Sequence, residues 1–215
     1  TVLFGGVRLD SCFHYFGETW EWDGARWTLQ PETGPTARWG LAMAYDAGRG
    51  VTVLFGGYFN DDCLGDGFGH YLGDTWEWDG SAWMLRGTGG PSPRSGHAMA
   101  YDSDRGVTVL FGGPFVDGVR DYLRDTWEWE ETQWQPGKGA VPTPRWYHAM
   151  AFDDRRGVTV LFGGNDNIQT YKGDTWEWDG DRWLMVSDSG PPPRYGHTMA
   201  YDSVRGVTVM FGGFG

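Results

Sequence analysis

Three histidines, His97, His148 and His197, stand in equivalent positions of a repeated sequence, each three residues after an arginine. Three imidazoles around one axis could hold a metal. The fourth equivalent position is Leu41. A site that accepts leucine tolerates apolar neighbours, so core or channel histidines are expected and no metal site is assigned. The arginines, Arg38, Arg94, Arg145 and Arg194, recur at every unit entry. An ion pair with the recurring acid ahead of Thr-Trp is the favoured role for them, and ligand binding is the alternative. The next residue does not recur: it is Trp39, Ser95, Trp146 and Tyr195. Aromatics beside arginines can stack a sugar or grip a peptide, or they can simply cap loops. The candidate ligand-binding set is therefore Arg38, Trp39, Arg145, Trp146, Arg194 and Tyr195. Loop residues His14, Phe59, His70 and Phe115 join it, with Tyr15 and Tyr122 beside them.

Other chemistries fit less well. Asn60-Asp61-Asp62 with Asp66, and Asn165-Asp166-Asn167, match no full calcium-loop pattern and read as solvated turns. No serine–histidine–acid order, phosphate loop or zinc spacing occurs. No pair of acids is placed by sequence at glycosidase separation. No catalytic residue and no cofactor is assigned. Cys12 and Cys63 each lie six residues past a Gly-Gly, in sister loops. A disulfide between them would staple those loops in an oxidising compartment, and two free thiols are the alternative.

The elements that must position these residues follow from self-similarity. Thr-Val-Leu-Phe-Gly-Gly begins at Thr1, Thr52, Thr108 and Thr159 and returns as Thr-Val-Met-Phe-Gly-Gly at Thr208. An acid followed by Thr-Trp-Glu-Trp begins at Glu18, Asp74, Asp125 and Asp174. The repeat is about fifty residues long. It divides the chain into a partial unit 1–30, units over 38–86, 94–135 and 145–186, and a partial unit 194–213. Each unit reads as four short strands: one of small residues (His97–Tyr101), one β-branched (Val107–Phe111), one alternating (Thr126–Trp129), and one centred on Trp, as at Arg182–Met185. Asp-Gly at Asp79-Gly80 and its equivalents marks a tight hairpin. Glu130-Glu131 breaks that pair, and a looser turn is expected there. Prolines such as Pro91, Pro93 and Pro191–Pro193 mark the joins.

Such a meander cannot bury both aromatic faces alone. Radial stacking buries them, which predicts an all-β propeller of four-stranded antiparallel blades. The paired tryptophans, Trp20/Trp22 and their equivalents, then read as inter-blade packing. Strand parity puts the one-to-two and three-to-four turns on one face. The long two-to-three loops and the joins fall on the other, where function is expected.

These residues resemble the kelch repeat family. The resemblance rests on Gly56-Gly57 after the second strand, Trp78 on the third and Trp83 shortly after, and likewise in the other units. The lead-in Pro91, Arg94, His97 resembles bacterial kelch sequences. The usual third-strand tyrosine is replaced by Trp22, Trp78, Trp129 and Trp178, and the turn that follows is shorter than usual. The resemblance implies a non-catalytic module for protein or carbohydrate binding, or a structural unit of an extracellular bacterial assembly. The alternative it carries is the propeller of a secreted enzyme, such as a galactose oxidase-like copper enzyme, but nothing here maps onto its copper ligands.

Composition narrows the partners. The chain has 215 residues, a net charge of −12, 36 glycines and 14 tryptophans. So much glycine disfavours a helical protein. The acidic balance argues against nucleic acid, and no apolar run approaches the ~20 residues of a membrane helix. The chain opens and finishes on a second strand. Strand His197–Tyr201 could complete the sheet of 1–30, leaving one strand surplus. A longer natural chain, or self-association that completes a ring or stack, is the expectation, and an extracellular or cell-surface location is inferred. The absence of a leading Met and of a signal segment agrees with a mature or truncated chain.

Overall fold

The computed structural model describes residues 1–10, 12–31, 33–60, 69–116, 120–139, 142–166 and 170–215. Among these the regular structure is all strand, with no helix. Three complete antiparallel sheets follow one another, each meandering in chain order. Blade two comprises Ala42–Asp46, Val51–Phe59, His70–Trp78 and Trp83–Gly87. Blade three comprises Ala98–Asp102, Val107–Phe111, Thr126–Glu130 and Gln133–Pro136. Blade four comprises Ala149–Asp153, Val158–Phe162, Thr175–Trp178 and Trp183–Ser187. Blade one holds three strands, Val2–Phe4, Thr19–Trp22 and Trp27–Leu29. A terminal ribbon pairs Tyr195–Asp202 with Val207–Phe214. The ribbon's first strand does not join blade one, as interlocking closure would require, because it is committed to its own second strand.

Alternation decides the packing. In blade three Val107, Val109 and Phe111 share one face and bury against Met150, Leu161, Trp178 and Trp183 of blade four. Phe111 meets Trp183 edge-to-face at 5.3 Å, as Phe55 meets Trp134 at 5.2 Å and Phe4 meets Trp83 at 5.4 Å. The first strands of successive blades lie side by side. Their Ala-Met-Ala pattern suits that close approach.

The recurring motifs form a seam. Trp78 Nε1 donates back to Glu21 at 2.8 Å, Trp129 to Glu77 at 3.1 Å and Trp178 to Glu128 at 2.9 Å. Trp83, Trp134 and Trp183 donate to Thr19, Thr75 and Thr126, each at 2.8 Å. Each blade therefore grips the one before it through the Thr and Glu of Thr-Trp-Glu-Trp. The Gly-Gly pair has its own reason. Gly56 has φ 65° and Gly57 has φ 114°. A Cβ on Gly56 would stand 2.6 Å from the Arg94 carbonyl of the next blade. Gly57 N–H donates to that same carbonyl at 2.8 Å.

The turn at Glu130-Glu131 is tighter than its sequence suggests, not looser. Glu130 pairs with Gln133, one step beyond the Trp129–Trp134 pair that ends the ladder elsewhere. Glu131 takes the positive φ, 55°, that Gly80 supplies in blade two. Exposure at the two ends differs sharply from the interior. Phe211 of the ribbon is 80% exposed where Phe111 is 0%, and Trp27 of blade one is 46% exposed where Trp83 is 7%.

Candidate functional site: the aromatic mouth of the loop face

The joins and the two-to-three loops do share one face. Trp39 of the first join exchanges backbone hydrogen bonds with Tyr58, just past the Gly-Gly of blade two, at 3.0 and 2.9 Å. Trp146 does the same with Asn165 at 3.0 and 2.9 Å. A chain of short backbone bonds runs between joins: Gly96 N–H to Gly40 O, Tyr147 N–H to Gly96 O, and Gly196 N–H to Tyr147 O, at 2.7, 2.7 and 2.8 Å.

Beneath this chain the arginines are locked. Arg38 is 1% exposed and uses all five N–H donors. It forms a bidentate pair with Asp74 at 2.6 and 3.0 Å, and bonds the Gly56 carbonyl, the Thr36 carbonyl and the Thr36 hydroxyl. Arg94 repeats the set with Asp125, Gly112 and Ser92. Arg145 repeats it with Asp174, Gly163 and Thr143. Burial by itself would raise Asp74, Asp125 and Asp174, but the arginine bonds outweigh it and hold all three below the usual carboxylate range. Arg38 and Arg145 therefore do not grip a ligand; no donor is left to offer. Arg194 stands just before the ribbon, which carries no such acid, and it bonds the Pro192 and Gly212 carbonyls.

Above the arginines a cavity of about 330 Å³ opens on the loop face. Trp39, Tyr58, Trp146, Tyr147, Phe13 and Tyr15 supply rings to its wall, Tyr71 adds another, and Ser95 and Asn60 are its polar members. Among the described residues no charged side chain lines it. Its rings are set at angles: Trp39 to Tyr58 at 89°, Tyr58 to Tyr71 at 70°, and Trp146 over Tyr147 at 4.4 Å and 33°. Tyr147 occupies the place that Gly40, Gly96 and Gly196 hold in the other joins, and it keeps their left-handed backbone, φ 49°. Burial, with Tyr71 and Tyr195 nearby, pushes its hydroxyl up. Trp146 Nε1 is buried without a hydrogen-bond partner.

Of the expected ligand residues, Trp39 and Trp146 reach this mouth, as does the loop residue Tyr15. Tyr195 stands behind it, stacked with Tyr147 at 6.5 Å and tilted against Tyr171 at 5.1 Å. His14 lies outside, on the exposed hairpin Val7–Leu9/Phe13–Tyr15, where it bonds Asp10 at 3.1 Å. Phe59 and His70 stack on one another at 5.0 Å as a cross-strand pair and do not line the cavity. Phe115 falls on strand Pro114–Val116, and its side chain lies outside the described residues. Cys63 also lies outside them. Cys12, the one cysteine described, is not a free thiol. Asp61, Asp62, Asp66 and Asn167 are likewise outside, while Asp166 pairs with Lys172 at 2.7 Å and takes the Thr170 N–H.

Sequence reasoning missed Tyr147, Tyr58, Tyr71 and Phe13. Tyr147 carried the clearest signal, since it breaks a position that is glycine in every other join. The three histidines sit in the seam. Their Cε1 atoms lie over Gly56, Gly112 and Gly163 of the preceding blade, as the Leu41 side chain lies over Gly5. The carbonyls of Phe55, Phe111 and Phe162 face the rings, at geometry short of a full hydrogen bond. Burial lowers His97 to about 3 and pulls His148 and His197 down as well. These are neutral packing groups.

Comparison with known proteins agrees with this architecture. The family model described as KLHDC2/KLHL20/DRC7 Kelch-repeats domain matches residues 1–213. Among solved structures, "Structure of YjhT" superposes with a TM-score of 0.65 at 14% identity, covering 92% of this chain and 69% of that one. That likeness speaks for the fold alone.

Proposed function

The chain belongs to the kelch-repeat family, and from that premise we propose that it is a non-catalytic binding module whose mouth on the loop face anchors a protein partner. One observation carries this reading. On the loop face a cavity of about 330 Å³ is walled by Trp39, Tyr58, Tyr71, Trp146 and Tyr147, and the join positions that supply Trp39, Trp146 and Tyr147 change from unit to unit. Loops carried on a rigid scaffold are where binding residues gather. Selection from a displayed peptide library tests it. Trp146→Ala should weaken the enriched peptides at least about tenfold while the melting temperature holds. Peptides indifferent to Trp39, Trp146 and Tyr147 would overturn the reading. A glycan array run in parallel separates carbohydrate from protein as the occupant.

A second reading, as a structural unit of an assembly, draws on the ends. Val207, Val209 and Phe211 are the counterparts of Val107, Val109 and Phe111, and all three are exposed. Leu3, Trp22 and Trp27 are the counterparts of Leu161, Trp178 and Trp183, and are exposed too. The two ends thus carry complementary halves of one seam, which a second copy of this chain or a further blade would cover. Light scattering of wild type against Phe211→Asp tests it: a concentration-dependent mass that the variant loses supports association, and a strict monomer refutes it. An extracellular or surface setting goes with a Cys12–Cys63 staple. Alkylation before and after reduction reports on it, and two thiols labelled without reductant would remove it.

A further inference from the structure

We infer that the aromatic mouth is a cage for an alkylated ammonium group. The inference deepens the binding-module reading and rests on it. Its first support is the arrangement of rings. A flat sugar ring stacks on one plane, or between two parallel ones. Trp39 and Tyr58 stand at 89° with centroids 6.3 Å apart, Tyr58 and Tyr71 at 70° and 5.0 Å, and Trp39 and Tyr147 at 39° and 6.2 Å. Walls set at such angles cannot all lie against one flat face, but a rounded head group can touch each of them. Ring faces carry negative quadrupole, and they attract a cation within about 6 Å of the centroid.

The second support is charge. The protein carries −12, and such a net charge draws cations toward its clefts. No Lys, Arg or His among the described residues lines the mouth to oppose a positive ligand. Arg38, Arg94 and Arg145 are each neutralised by a bidentate aspartate. No described carboxylate lines the mouth either. A methylated ammonium suits such an aromatic lining, since its charge is spread over methyl groups and its hydration shell is weak. The cavity of about 330 Å³ admits such a head group with room for the chain that bears it.

Intrinsic tryptophan fluorescence of the whole chain, titrated with choline and with its neutral isostere 3,3-dimethyl-1-butanol, tests the cage. Saturable quenching by choline, at least about tenfold tighter than by the isostere, is expected. Trp39→Ala should abolish it and Trp39→Phe should keep part of it. Equal response to both compounds, or none to choline, overturns the proposal without reference to any variant's folding. A peptide bearing trimethyllysine separates the sources. Binding tighter than choline assigns the head group to a protein side chain, and weaker binding assigns it to a free quaternary amine. If choline fails while Trp146→Ala still abolishes peptide capture, the cage falls and the binding module stands.

Discussion

Arg145 and Trp146 are neighbours in sequence and belong to different worlds. Arg145 recurs in every unit, is fully buried, and spends its five donors on groups that also recur. Trp146 stands at a position that changes from unit to unit, lines an open cavity, and leaves its own donor unpaired. The pair teaches how to read a repeat. Recurrence marks residues that hold blade to blade, and variation between units marks residues released from that work. The same contrast holds between Trp129, which is 3% exposed and bonded to Glu77, and Trp22, its equivalent at an end sheet, which faces solvent.

Substitutions can break or sharpen this contrast. The largest effect is expected from Arg94→Ala, which strands Asp125 and the Gly112 carbonyl; urea unfolding should show a loss of about 3–5 kcal/mol. Should the loss be under 1 kcal/mol, the clamp is not what holds the joins. Trp129→Ala should cost about 3–4 kcal/mol as a large cavity that also leaves a bond unmade. Trp22→Ala should cost under about 1 kcal/mol in a monomeric sample, and a similar cost at both sites would mean that the end sheet is covered in solution.

An intermediate effect concerns acid. His97 titrates near 3 in the folded chain and at about 6.5 when unfolded. The unfolded state therefore takes up protons first as pH falls below about 6.5, and stability drops by up to about 1.4 kcal/mol per pH unit per histidine down to the folded value. The clamp aspartates, lowered in the fold, add their loss only below about pH 4. His97→Leu, which Leu41 shows the site can accept, should flatten the profile between pH 6.5 and 4; an unchanged slope would place the titration elsewhere. The smallest stability effect is expected at Tyr147→Gly, which restores the residue of the sister joins. Thermal melts should move by no more than about 1 kcal/mol, while binding at the mouth is lost. A large destabilisation would make Tyr147 a packing residue.

The blade architecture was legible because two strings recur at one period and each strand has its own signature. The arginine–aspartate clamp was legible too, since both partners recur. The mouth was only half legible. Trp39 and Trp146 follow the arginines directly, whereas Tyr58 and Tyr71 reach the cavity because the second and third strands of blade two run on as a paired extension past the Gly-Gly. Nothing in the local pattern says that this extension brings its tyrosines into the cavity wall. His14, Phe59 and His70 misled for the complementary reason. Length and irregularity of a loop do not say which of its side chains face inward, and Phe59 and His70 satisfy each other instead.

The tryptophan bonds of the seam all run backwards: the donor comes later in the chain and its Glu or Thr acceptor comes earlier. Losing the last complete blade would therefore strip indole donors from the Glu128 and Thr126 side chains, whereas losing the blade before it would orphan the two indole N–H groups of Trp178 and Trp183.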